Sequence, residues 1–181
     1  MSETEFSLGR NCGVTFAGIK PASMVSVKKS EAKDLERIAD CFKKRGFSFR
    51  AVKDNGERLV IVVYHEKSLY KLLFSAQTKE FLKSFGYDYS SVDGAFKTLS
   101  ERMKNDDFPH EVGVFLGYPL SDVRGFINDP EKGLKLSGYW KVYSNEKAAA
   151  EKFRIYRQCT ENICRKMSDG IGLPKIFGVA N

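Results

Sequence analysis

No apolar run in the chain is long enough to cross a bilayer: the longest, Leu59 to Tyr64, has six residues, against the roughly 20 of a membrane helix. The N-terminus also lacks a cationic stretch followed by an apolar one, since Met1 to Arg10 is acidic and then polar, so no export signal is visible. Cysteine is sparse and scattered. Cys12, Cys41, Cys159 and Cys164 lie in a chain long enough to do without disulfides, which points to a reduced, cytoplasmic setting. A zinc site needs paired Cys or His at short gaps. The nearest approach, Cys159 with Cys164 in a helical stretch, leaves the two on different faces after five steps of about 100°, so no metal site is expected. Neither a GxxxxGKS/T nor a GxGxxG loop occurs, and a nucleotide would need an unusual site. The sequence names no cofactor.

What is present is core material. With 42% apolar and 13% aromatic residues, the 181 residues can fill one hydrophobic interior, which excludes disordered, collagen-like and coiled-coil classes. The net charge of +7 is thinly spread. Lys28, Lys29, Lys33, Arg37, Lys43, Lys44 and Arg45 alternate with acids along a helical stretch, as a solvated helix face does. Nucleic acid is therefore disfavoured as a partner, although Tyr139, Trp140, Lys141 and Tyr143 could stack on bases as well as fill a half-buried strand.

No repeat, low-complexity run or linker divides the chain. The expected organisation is a polar N-terminal arm over 1–10, one domain over 11–169 and an irregular tail over 170–181. Met24 to Val27 reads as a strand. Leu35, Ile38, Ala39 and Phe42 then recur at helical spacing between a Ser30 cap and a Gly46 stop. Phe47, Phe49 and Ala51, the turn Asp54-Asn55-Gly56-Glu57 and the run Leu59 to Tyr64 predict a β-hairpin, whose second strand, with no polar face, is expected to be central. Three helical patterns follow, around Leu69, Phe81 and Phe96, the last behind a capping-box match at Ser90 to Asp93. Val112 to Leu116 and Tyr139 to Tyr143 read as strands, each leading into a helix. In the second of these helices Ala149, Phe153, Tyr156, Thr160, Ile163 and Met167 form one stripe. The predicted fold class is α/β or α+β, with a mixed sheet of about five strands flanked by helices.

Several phrases stand out: Asn11-Cys12-Gly13-Val14-Thr15 with Gly18-Ile19-Lys20-Pro21, Pro109-His110-Glu111-Val112-Gly113, Phe115-Leu116-Gly117-Tyr118-Pro119, and Gly138-Tyr139-Trp140-Lys141-Val142-Tyr143. In these the sequence resembles the bacterial family named domain of unknown function 3793, over about Cys12 to Met167. The resemblance implies a small protein of anaerobic, Firmicutes-type bacteria and implies no activity.

Two candidate sites follow from the residues. The first pairs Cys12 with His110, because a nucleophilic thiol needs a base and the base a third group to fix its tautomer. On a strand the adjacent Glu111 would point to the opposite face from His110, which makes Asp122 the better third member. Cys before a strand-borne His is the papain-like order, and His110 to Gly117 resembles a strand of the bacterial cell-wall cysteine peptidases. Against this, Cys is commonly a small buried hydrophobe and Pro-His can simply open a strand. The second site is the Gly117-Tyr118-Pro119 turn, where a strand passing into a helix presents N–H groups to an anion, with Lys20 and Lys141 supplying charge. The plainer alternative is that Gly117 and Pro119 only shape the turn. The leading expectation is a face for a small anionic ligand or protein partner, built from Cys12–Lys20, Pro109–Asp122 and Tyr139–Lys141, with Lys20, Glu111, Gly117, Tyr118, Tyr139, Trp140 and Lys141 as ligand-binding residues. The alternatives are a cysteine-dependent hydrolase or transferase using Cys12, His110 and Asp122, and an RNA-binding module.

Overall fold

The computed structural model describes residues 1–105 and 107–179. Its centre is the hairpin expected from the Asn-Gly turn. Strands β2 (Phe47–Asp54) and β3 (Arg58–His65) pair antiparallel around Gly56, whose φ of 92° is the left-handed conformation such a turn requires. Strand β1 (Ala22–Lys28) adds to the other side of β3, giving the order β1-β3-β2 with β3 central. Alternation along β3 divides its apolar run between two interiors. Ile61 and Val63 face one, Val62 and Tyr64 the other, so the absence of a polar face in this strand reflects cover on both sides.

The first interior is closed by helices α1 (Glu3–Phe16), α2 (Ala32–Lys43), α8 (Glu146–Ser168) and α9 (Leu173–Ile176). The second lies under α3 (Glu66–Leu73), α4 (Ala76–Lys83), α5 (Val92–Arg102), α6 (Val112–Phe115) and α7 (Leu120–Asn128). A two-stranded ribbon, β4 (Leu136–Ser137) with β5 (Lys141–Val142), sits apart from the main sheet, and a third apolar cluster joins it through Trp140 and Val142 to Val14 of α1 and to Phe153 and Tyr156 of α8.

The fold is mixed α/β, and it departs from expectation in four places. First, residues 3–16 form a helix where an arm was expected over 1–10. Its buried face is built from Thr4, Glu5, Gly9, Cys12 and Gly13 as much as from Leu8, so it carries little apolar periodicity. A Cβ on Gly9 would come within 2.2 Å of Met167 Sδ and one on Gly13 within 2.5 Å of Ile163 Cδ1; the small residues let α8 approach. Secondly, Val112–Phe115 is a helix and not a strand. The segment is buried throughout, and a short apolar run covered on all sides has no period to read. Thirdly, the mixed five-stranded sheet is a three-stranded antiparallel sheet plus the β4–β5 ribbon, and the expected strand Tyr139–Tyr143 pairs only through Lys141 and Val142. Fourthly, α9 forms in the supposedly irregular tail, with Leu173 buried and its N–H donated to the buried Glu5 carboxylate at 2.7 Å; the last two residues of that tail lie outside the described residues. Two caps also shift. A short 3-10 turn, Lys29–Glu31, replaces the Ser30 cap of α2, and Ser91 rather than Ser90 caps α5 through the Gly94 N–H.

Candidate functional site

The Pro109–His110–Glu111 phrase opens α6 through a tight turn, in which the Val112 N–H donates to Pro109 O at 3.0 Å and the Gly113 N–H to His110 O at 3.1 Å. The helix ends one turn later at Gly117. Its φ of 76°, the bond from the Tyr118 N–H to Gly113 O (2.9 Å) and that from Gly117 to Val114 O (2.9 Å) form a Schellman cap. A Cβ on Gly117 would also lie 2.5 Å from Pro21 Cγ, so this position needs glycine for both conformation and space. Pro119 then starts α7. The resulting helix–turn–helix corner, and not a strand-to-helix junction, presents Tyr118.

Tyr118 stacks on Trp140, just before β5, with ring centroids 5.1 Å apart, and Phe153 meets the indole edge-on at 4.6 Å. The Trp140 Nε1–H donates to Asp122 Oδ2 at 2.8 Å. Asp122 Oδ1 accepts from the Tyr143 N–H (2.9 Å), the Ser144 N–H (2.8 Å) and the Ser144 hydroxyl (2.7 Å). Burial pushes the Asp122 carboxyl up, but these donors outweigh it and hold the group below the usual carboxylate range. Asp122 thus welds α7 to the β5–α8 connection.

Around this joint lies a cavity of about 260 Å³. Met24, Leu116, Val123 and Phe126 form its apolar walls, Tyr118 and Trp140 its aromatic side, and His110, Lys141 and the already bonded Asp122 its polar groups. His110 is exposed, edge-on to Phe126 at 4.8 Å and beside Phe108 at 5.7 Å. The Lys141 ammonium lies 5.7 Å from the Phe126 centroid and is paired with Glu131 at 2.7 Å. Among the described residues, neither the His110 ring nor the Tyr118 hydroxyl has a hydrogen-bond partner. Lys20 lies just beyond, its ammonium 5.1 Å from the Tyr118 centroid, and burial pushes its pKa down to about 8.

Of the residues singled out from the sequence, His110, Tyr118, Asp122, Trp140 and Lys141 meet at this cavity, with Gly117 and Lys20 supporting Tyr118. Three do not. Cys12 is sealed in the first interior with Leu8 and Phe16, where burial raises its thiol to about 12 and the nearby Lys20 charge offsets only part of that. No hydrogen bond joins Cys12, His110 and Asp122 among the described residues, and the Asp122 oxygens are already committed, so the three do not form a triad. Glu111 is buried away from the cavity, accepting from Tyr87 Oη at 3.0 Å and paired with Arg102. Tyr139 turns outward onto Phe153 and Tyr156, beside a separate groove with Arg154 and Arg157.

Sequence reasoning missed the aromatic rim, Phe108 and Phe126. Phe126 stands one turn after Val123 on the same face of α7, a spacing that could have revealed it. Among the described residues no three His, Cys, Asp or Glu side chains gather as metal ligands, and no helix is long and apolar enough to cross a membrane.

Searches of the curated proteins and of the solved structures return no match. A family model described as "Protein of unknown function (DUF3793)" matches residues 8–177, which takes in the α1–β1 segment, the α6–α7 corner and the β4–β5 ribbon. The chain therefore belongs to the DUF3793 family, as its motifs had indicated.

Proposed function

We propose that the protein binds a small, largely apolar molecule carrying one anionic group in the cavity between α6, α7 and β5. The observation that carries this reading is the convergence of two sequence-distant phrases, Pro109–Asp122 and Trp140–Lys141, on one hollow whose walls are largely apolar and whose lining includes an imidazole and an ammonium, while its carboxylate, Asp122, is taken up by Trp140, Tyr143 and Ser144. The size fits. At about 260 Å³ the cavity falls just below the roughly 300–1,000 Å³ of sites for drug-sized ligands, which suits a single substituted ring or short branched chain better than a nucleotide. The chemistry fits as well: the flat face of Tyr118 and Trp140 favours a planar body, and a carboxylate at the mouth would meet His110 and Lys141.

Trp140 is the sole tryptophan of the chain, so its emission reports directly on the site. Titration with 4-isopropylbenzoate, within a panel of aromatic and branched-chain carboxylates, is expected to give a saturable emission change. The cavity-filling substitution Val123→Phe is expected to abolish it. Absence of any response across the panel at millimolar concentration would overturn the proposal.

A further inference from the structure

We propose that Glu131 is an internal stand-in for the ligand's anionic group, and that a carboxylate ligand binds by displacing it from Lys141. This rests on the reading of the cavity as a ligand site. Lys141 lines the cavity, and its ammonium sits beside Phe126, a wall of that cavity. The ammonium donates to Glu131 Oε1 at 2.7 Å and to Pro130 O at 3.3 Å. The backbone that carries Glu131 is shaped for this contact. Asp129 Oδ1 accepts the Glu131 and Lys132 N–H groups, both at 3.1 Å, and Pro130 O also accepts from the Tyr143 hydroxyl at 2.8 Å.

The carboxylate itself is held far more loosely than the loop. The Glu131 side chain is 80% exposed, against 30% for Lys141, and among the described residues the ammonium is its only partner. Exposed pairs of this kind contribute little and are screened by salt, so releasing Glu131 to water costs little. Leaving the half-buried Lys141 without a counter-charge costs more. An incoming carboxylate at Lys141 avoids that cost by replacing one anion with another, whereas a neutral ligand of the same shape has no reason to move Glu131. Glu131 reaches the cavity only through Lys141; the carboxylate that does line it, Asp122, cannot take the Glu131 role, because its oxygens are filled by Trp140, Tyr143 and Ser144. Glu131 therefore acts as a competitor that weakens carboxylate binding while leaving neutral binding alone, and it sets the apparent affinity of the site.

Two probes of one shape test this: 4-isopropylbenzoate and the neutral 4-isopropylbenzyl alcohol, each titrated by Trp140 emission and by calorimetry. Glu131→Gln is expected to tighten binding of the carboxylate about two- to fivefold, the range set by the strength of an exposed pair, and to leave the alcohol unchanged. Lys141→Met is expected to weaken the carboxylate about tenfold, through loss of one charge-assisted contact, and to affect the alcohol less. If both probes bind and Glu131→Gln changes neither, or weakens the carboxylate, Glu131 is no competitor and the inference is overturned with the cavity intact. If neither probe nor any other panel member binds the native protein or the variants, the ligand-site reading itself fails, and this inference with it.

Discussion

The two sides of the central sheet are built on opposite plans. On the α1–α8 side, Gly9 and Gly13 bring the helices so close that a single added carbon would collide with Met167 or Ile163, and Cys12, at the centre of that interior, is sealed, with Cys41 and Cys159 only at its margin. On the α6–α7 side, Leu116, Tyr118 and Trp140 hold walls apart around a hollow, and the histidine beside it is exposed. Cys12 and His110 are thus separated: the Cys12 thiol has no access, while the accessible hollow beside His110 has no thiol. The lesson is that two residues flagged by chemical type can lie on opposite sides of one sheet, one sealed and one exposed.

The sharpest test of this contrast is thiol chemistry. An ordinary cysteine has a pKa of about 8.5, and burial pushes the Cys12 thiol up to about 12, so its thiolate fraction near neutrality is far below that of an ordinary thiol. Cys12 is expected to be alkylated slowest of the four cysteines by iodoacetamide, and His110→Ala should leave its rate unchanged, as read by mass spectrometry. Fast, His110-dependent labelling would join the two sides and restore a cysteine mechanism.

Next in size is a matched pair of truncations. Leu8→Ala, in the closed interior, is expected to cost about 4 kcal/mol, because the neighbouring helices cannot collapse onto the gap. Leu116→Ala, on the cavity wall, is expected to cost about 2 kcal/mol, since the space it leaves merges with one that already exists. Urea unfolding measures both, and equal costs would contradict the contrast between a closed and a hollow side.

The smallest effect is one of pH. The Asp122 carboxyl is held below its usual value in the folded state, so its contribution to stability is complete above the unfolded carboxylate pKa of about 3.9 and fades as pH falls from there through the folded value. Asp122→Asn is expected to destabilise the protein at neutral pH and to flatten this acid limb. A Trp140 emission shift should accompany it, because the indole N–H loses its carboxylate partner.

Legibility from sequence followed the distribution of burial. The β2–β3 hairpin could be read because an Asn-Gly turn and a β-branched run act locally, and the α8 stripe because one face is buried and the other wet. Helix α1 escaped because glycine, threonine and a buried glutamate interrupt the apolar residues of its contact face, Leu8, Cys12 and Phe16, and blur their periodicity. Helix α6 was mistaken for a strand because Val112 to Leu116 is buried throughout. The cavity residues were found as short phrases, but their order in space was hidden. His110 looked like a partner for Cys12, and Asp122 like its orienting acid, until the Trp140, Tyr143 and Ser144 contacts showed where the Asp122 oxygens point.

By itself the sequence determined the mixed α/β class, the hairpin with its central strand, the helical middle of the chain and the family, because turn chemistry and one-sided burial are written in neighbouring residues. Only the tertiary structure decided which interior each titratable side chain enters, that β4–β5 stands apart from the sheet, and that His110, Tyr118, Trp140 and Lys141 surround one hollow. These outcomes depend on contacts between residues far apart in the chain, such as Gly13 against Ile163 and Asp122 against Trp140, and no local pattern encodes the distance across which such pairs meet.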